Sequence, residues 1–209
     1  MLNLQKGISS KAIEILNLMK NKVILFGLSV TLIAFTLIGG FFVYLPLYMK
    51  YRGYDEFFIG LALSLPALSG ALSRMPLGLI IDKYKNEQMM LLPFLILSSL
   101  LTFLIANFSS LLQLLALLLI LGFFNGSSTL AAIIFVARRA NVQELGKAMG
   151  FLAMARSLGI TLGPALYSQV LLLYGEESFD LGFYSLSLFT LSLSLMVFFL
   201  LKTSRGKTL

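Results

Sequence analysis

The sequence predicts an all-α membrane protein of six transmembrane helices with both termini in the cytoplasm, and three observations carry that prediction. The 209 residues are 58% hydrophobic and only 12% charged, with a mean hydropathy of +0.93, whereas a soluble domain is roughly 25% charged. The apolar residues fall into stretches of the length, about 20 residues, that a helix needs to cross a bilayer. The cations collect in alternate connecting segments, the pattern that sets membrane orientation.

Taken in order, residues 1–22 form an amphipathic, lysine-bearing lead to be placed in the cytoplasm. Within it, residues 8–20 read as a short helix opened by serine. Two readings of it are open: a surface helix on the inner leaflet, or a helix that docks on a partner. Lys22 and Lys50 bracket the first span, 23–49. The second, 57–81, lies between Glu56 and Asp82 and contains Arg74, with Pro66 and Pro76 predicting a bend. No charge occurs from Gln88 to Ala137, enough for two spans, and Asn107-Phe-Ser-Ser110 divides them into 88–106 and 110–137. The fifth span, 148–174, contains Arg156. The sixth, 181–201, precedes a basic cytoplasmic tail, 202–209. The membrane unit is therefore 23–201.

With both ends inside, the cytoplasmic segments hold Lys6, Lys11, Lys20, Lys22, Lys83, Lys85, Arg138, Arg139, Lys147, Lys202, Arg205 and Lys207. The exterior holds only Lys50 and Arg52. Tyr44, Tyr48 and Tyr174 are expected at the outer interface, where aromatic residues collect.

There is no cysteine and no histidine, which excludes disulfides, thiolate chemistry, histidine metal sites and the commonest general base. Neither a cofactor nor a metal is expected. With no buried acid pair either, an enzyme is not expected. The net charge of +7 is explained by cations flanking apolar segments, so the expected partner is the lipid bilayer and not nucleic acid.

The most informative stretch is Arg74-Met-Pro-Leu-Gly78-Leu-Ile-Ile-Asp82-Lys83-Tyr-Lys85. Gly78 and Asp82, four residues apart, share a helix face, with the glycine about one turn deeper in the membrane. A neighbouring helix is expected to pack closely over Gly78, while Asp82 accepts hydrogen bonds or pairs with a cation. Arg138 and Arg139, at the cytoplasmic end of the fourth span, are the expected partners. Arg74 is a poor one, since eight residues of helix span about 12 Å.

This stretch resembles the signature between the second and third helices of each half of a major facilitator superfamily (MFS) transporter: glycine, three residues, aspartate, a basic residue, any residue, glycine and two basics. The match covers the front of the pattern; Lys85 replaces the later glycine, and Asn86-Glu87 the basic pair. A second resemblance lies in the fifth span, where Gly150, Gly159 and Gly163-Pro164 fit the family's fifth-helix signature, with Tyr167-Ser168 in place of its closing glycines. Gly159 and Gly163 form a face for tight helix packing.

Arg156 lies about nine residues into the fifth span, ~13 Å deep. A central arginine costs roughly 2.5–3.5 kcal/mol on insertion scales, so it is expected to face protein or water. The stripe Ala153, Arg156, Gly159, Gly163, Tyr167 would put it on the close-packing face. Three readings are open: a site for an anionic or carboxylated substrate, an arginine that snorkels to the inner surface, or one paired with an acid from another half. Asn125, Ser128 and Thr129 cluster in the fourth span and are expected either to bond between helices or to line a cavity. Thr31 in the first span is a weaker candidate of the same kind, since threonine often bonds to its own helix.

The resemblance implies one six-helix half of an MFS carrier moving a small-molecule substrate by alternating access in the cell membrane. Its second half would come from another copy, a separate chain or a longer protein. It implies a gating role for Arg74, Gly78, Asp82, Lys83, Arg138 and Arg139, and a cavity lined by residues such as Thr31, Asn125, Ser128 and Arg156. The lead before the first span favours a carboxy-terminal-type half, and the fifth-span signature an amino-terminal-type one. The other reading is a membrane protein that does not transport, such as an assembly factor or degenerate half-transporter.

Overall fold

The computed structural model describes residues 22–84, 88–175 and 178–205, all of them helical or in short connections. The helices are α1 (Lys22–Tyr51), α2 (Glu56–Tyr84), α3 (Gln88–Ile105), α4 (Leu111–Arg139), α5 (Leu145–Tyr174) and α6 (Phe179–Arg205). Five of them contain stretches long and apolar enough to cross a bilayer, while α3 contributes the shorter apolar run Leu91–Ile105. The lead helix expected over 8–20 and Lys85 of the signature lie outside the described residues. α2 continues through Tyr84, so Asp82 and Lys83 belong to its last turn instead of following it. α6 likewise continues to Arg205, into the segment expected as a tail. Between α3 and α4, Ser110 caps the new helix by accepting from the Gln113 amide, satisfying one of the orphan donors of a helix start.

α1 packs most closely on α5, α2 on α4, and α3 on α4 and α6. Exchanging α1–α3 with α4–α6 turns the α1–α5 contact into the α4–α2 contact, and α3–α4 into α6–α1. The main contacts of the two three-helix halves therefore correspond under this exchange.

Small residues make the close crossings possible, as in membrane bundles generally. On α5, Gly159 faces Leu32 and Gly163 faces Thr36 and Gly40 of α1; a Cβ on Gly163 would lie 2.1 Å from the Thr36 carbonyl oxygen. The matching contact brings Gly126 of α4 onto Gly70 of α2, where a Cβ would lie 2.6 Å from the Gly70 Cα. Gly122 of α4 meets Pro66 of α2 in the same way, so both pairs advance in the same direction, and α1 runs parallel to α5 and α2 to α4.

Two apolar clusters cap the bundle. Phe41, Leu45, Tyr48, Phe108, Leu118, Tyr167 and Phe183 fill the end near Asp180. Phe26, Val30, Ile81, Leu91, Leu95, Phe135 and Leu152 fill the end near Asp82. Tyr48, expected at an interface, is 1% exposed. Its hydroxyl donates to Asp180 Oδ1 at 2.5 Å and accepts from Arg52 Nη2 at 2.9 Å. Burial is tolerable because that polar tip is satisfied. Tyr44 stacks face to face on Tyr167, with ring centroids 3.9 Å apart. Tyr174 alone of the three is exposed.

Candidate functional site

Between the two clusters lies a cavity of about 210 Å³, lined by α1, α2, α4 and α5. Its apolar wall includes Phe35, Ile38, Phe41 and Phe42 of α1, and its polar groups come from Arg74, Asn125, Thr129 and Arg156. The glycine crossings shape it: Gly70, Gly122 and Gly126 line the cavity where α2 meets α4.

Both arginines sit well inside their helices. Arg74 precedes the end of α2 at Tyr84 by ~15 Å of helix, and Arg156 follows the start of α5 at Leu145 by ~17 Å. Those two helix ends are on the same side of the bundle, so the two charges share a level. The Arg156 guanidinium lies over the Phe35 ring, its Cζ 4.9 Å from the centroid, a cation–π contact. Among the described residues neither arginine forms an ion pair. At roughly 2.5–3.5 kcal/mol for each central arginine on insertion scales, two uncompensated cations facing one cavity are costly. Lipid contact does not account for them.

Arg156 is not on the close-packing face. The buried stripe of α5 is Ala148, Leu152, Ala155, Gly159, Gly163 and Tyr167, while Ala153 and Arg156 are exposed beside it. One residue past Ala155 turns the side chain about 100° away from that seam, toward the cavity. Arg74, expected with the gating residues, faces the cavity as well.

Asn125 is 6% exposed, and its Oδ1 has no hydrogen-bond partner among the described residues. Buried amides rarely go unpaired. Ser127 Oγ is also without a partner, though it is not among the cavity-lining residues. Ser128 and Thr31 lie away from the cavity. Each is buried and bonds within its own helix, Ser128 Oγ to Asn125 O at 2.9 Å and Thr31 Oγ1 to Gly27 O at 2.8 Å. Thr129 bonds to Gly126 O in the same way. The interhelical bonding expected of this cluster is found instead between Thr190 of α6 and Ser99 of α3, at 3.1 Å.

At the Asp82 end, Arg138 Nη2 donates to Asp82 Oδ1 at 2.7 Å, joining the last turn of α4 to the last turn of α2. The side chains are 36% and 74% exposed. Arg139 instead turns back on its own helix, donating to Phe135 O at 3.2 Å and lying 3.9 Å from the Phe135 ring centroid. Lys83 Nζ lies 5.6 Å from the Tyr84 ring centroid. The close packing expected over Gly78 is absent: a Cβ there would meet nothing within 4 Å, and the same holds for Gly150. These two glycines of the signatures are not crossing points, whereas Gly159 and Gly163 are. Pro164 continues α5 directly after its tightest contact.

At the opposite end, sequence reasoning missed a network joining three segments. Tyr48 links Asp180 at the start of α6 to Arg52, and its hydroxyl oxygen lies 3.2 Å from the Ala106 carbonyl oxygen. The Tyr48 hydroxyl holds the Arg52 guanidinium above its ordinary range, against the opposing effect of burial. Nearby, the Tyr184 hydroxyl bonds to Asn107 Oδ1. The only signal in the sequence was an acid and an arginine next to apolar spans.

Among the described residues no group of three or more His, Cys, Asp and Glu side chains could hold a metal ion. The family model described as Major Facilitator Superfamily matches residues 5–97 and, in an overlapping match, 25–208. No curated protein matches the chain.

Proposed function

Since the chain belongs to the Major Facilitator Superfamily, and so is a multi-pass membrane transporter of that kind, we propose that it carries a small solute by alternating access as one six-helix half. One observation carries the reading. A cavity carrying Arg74, Arg156 and Asn125 lies between two packed apolar clusters, with a breakable ion pair, Asp82–Arg138, at the end of one of them.

In this reading all six helices cross the cell membrane, and the excess of cations puts the Asp82 end in the cytoplasm. Asp82 and Arg138 then tie α2 to α4 while the cytoplasmic side is closed. Their exposure suits a contact that must break every cycle, because an exposed ion pair is worth only about 0–1 kcal/mol. Arg139 and Lys83 hold the helix ends at the inner surface. Arg74, with Arg156 and Asn125, serves the cavity. A second half, from another copy, a separate chain or the same longer protein, closes the open side, with the solute between the halves. The described residues offer no acid at mid-depth to carry a proton, so coupling to a proton gradient, if used, belongs to the second half.

The chain has no cysteine, which makes the test direct. A single cysteine at the cavity-lining Ala67 is labelled with a membrane-impermeant maleimide in right-side-out and inverted vesicles. Labelling from both faces, with Asp82→Asn raising the rate from the cytoplasmic face at least threefold, is expected. Labelling from neither face, or from one face whatever the state of Asp82, would favour the second reading, a membrane protein that does not transport. The uncovered Gly78 and Gly150 are what speak for that alternative.

A further inference from the structure

We propose that the cavity takes an organic anion, its charged group held by Arg74 and Arg156 and its apolar body against Phe35, Ile38 and Phe42. The inference rests on the transport reading for its biological sense, but the binding it describes can be measured without transport.

Three observations converge on it. First, two guanidinium groups from different helices, α2 and α5, line one cavity at one depth, and among the described residues no carboxylate pairs with either. A planar guanidinium presents paired donors that match carboxylate, sulfonate and phosphate oxygens. Two such groups call for an anion more strongly than one, since a single arginine could still be a local packing choice. Arg74 and Arg156 stand ~15 Å and ~17 Å of helix from the ends of α2 and α5, and both line the cavity. The Phe35 ring beneath Arg156 holds that guanidinium in the cavity.

Second, Asn125 lines the same cavity, is 94% buried by its 6% exposure, and has an unpartnered carbonyl oxygen. An amide offers both a donor and an acceptor, so it can receive a hydroxyl or amine of the ligand or add a donor to its anion. Third, the α1 wall is aromatic and aliphatic, the usual lining of a site that holds an organic body while a few polar groups set its orientation. A bare inorganic ion would leave that wall unused.

The test uses the full chain in lipid nanodiscs and a matched series with one ring and different charge: benzoate, benzenesulfonate and phenyl phosphate against benzamide and benzylammonium. Calorimetric titration is expected to show binding of at least one of the anions at least tenfold tighter than of either comparator. Arg74→Gln and Arg156→Gln should each weaken the anion tenfold or more, while Lys50→Gln, whose ion pair with Glu56 lies outside the cavity, should not. Where Arg156→Gln lowers the yield of folded protein, Arg156→Lys keeps the charge and should retain the preference for anions at reduced affinity. No anion bound tenfold tighter than benzamide and benzylammonium, binding indifferent to both arginines, or no binding of any anion would overturn the proposal. The cysteine-67 labelling separates the two ideas: anion binding without a change of access sinks transport alone, and switching access without anion preference sinks the anion site alone.

Discussion

Gly163 of α5 lies against Thr36 of α1 so closely that a methyl group there would stand 2.1 Å from the Thr36 carbonyl oxygen and 2.4 Å from the Gly40 nitrogen. Both obstacles are backbone, which cannot rotate aside, so the helices themselves would have to separate. Gly163→Ala should therefore destabilise the bundle by about 1–3 kcal/mol or more, the range of overpacked cores. Gly126→Ala, with the Gly70 backbone in its path, should behave alike. Gly78→Ala and Gly150→Ala, with open space beside them, should leave stability unchanged or raise it, because alanine favours helix over glycine by about 1 kcal/mol. Thermal melts followed by circular dichroism would rank the four. A Gly78→Ala protein as unstable as Gly163→Ala would contradict the packing described.

That contrast shows which part of the architecture was legible beforehand. Long apolar stretches between charges announced the helices, because a bilayer imposes length and an absence of charge on any segment that crosses it. Gly159 and Gly163 announced a crossing through their four-residue spacing. The spacing of Gly78 and Asp82 is equally suggestive, yet among the described residues no helix covers Gly78. Whether a glycine face meets a neighbour depends on how α2 is rotated against α4, which no local pattern encodes. The same limit applied to the cavity. Arg156 stands out because it is charged and central, but its face differs by one residue from the stripe its spacing suggests, and Arg74, close in sequence to Asp82, lines the same cavity as Arg156. Thr31 and Ser128 were drawn in as polar residues, and their own helices satisfy both.

The Asp82–Arg138 contact should matter more for switching than for folding. With Asp82 74% and Arg138 36% exposed, solvent screens the pair, and each neutral variant, Asp82→Asn or Arg138→Gln, should shift stability by no more than about 1 kcal/mol. The exchanged double variant, Asp82→Arg with Arg138→Asp, should restore part of the wild-type labelling rate at cysteine 67 that either charge reversal alone disturbs. A strong loss of thermal stability in the neutral variants would recast the pair as a structural strut.

Tyr48 is the reverse case. Its hydroxyl is buried and joins Asp180, Arg52 and the Ala106 carbonyl, while its ring packs edge-on against Phe108 and Phe183. Tyr48→Phe keeps the ring and removes the hydroxyl, leaving partly buried charged partners without their shared bond. The expected cost is about 1–3 kcal/mol, read as a lowered melting temperature. Asp180→Asn, which keeps an acceptor facing the hydroxyl, should cost less. If Tyr48→Phe melts with the wild type, the network contributes nothing to holding α1 against α6.

Asn125 separates function from stability most sharply. Nearly all buried polar groups in a folded protein have a partner, and those kept without one weaken the fold, because their water is stripped away and nothing replaces it. Asn125 lines the cavity with its carbonyl oxygen in that condition. Replacement by leucine, of similar volume, removes the unpaired dipole, so Asn125→Leu should leave the melting temperature unchanged or raise it. The same substitution takes away a hydrogen-bonding group from the cavity wall and should weaken the binding of a hydroxyl-bearing anion such as salicylate more than that of benzoate. Calorimetric titration of both ligands against both proteins measures this directly. A destabilised Asn125→Leu with unchanged affinities would mean that the amide serves the packing of α4, and the cavity would lose one of the three features that mark it as a binding site.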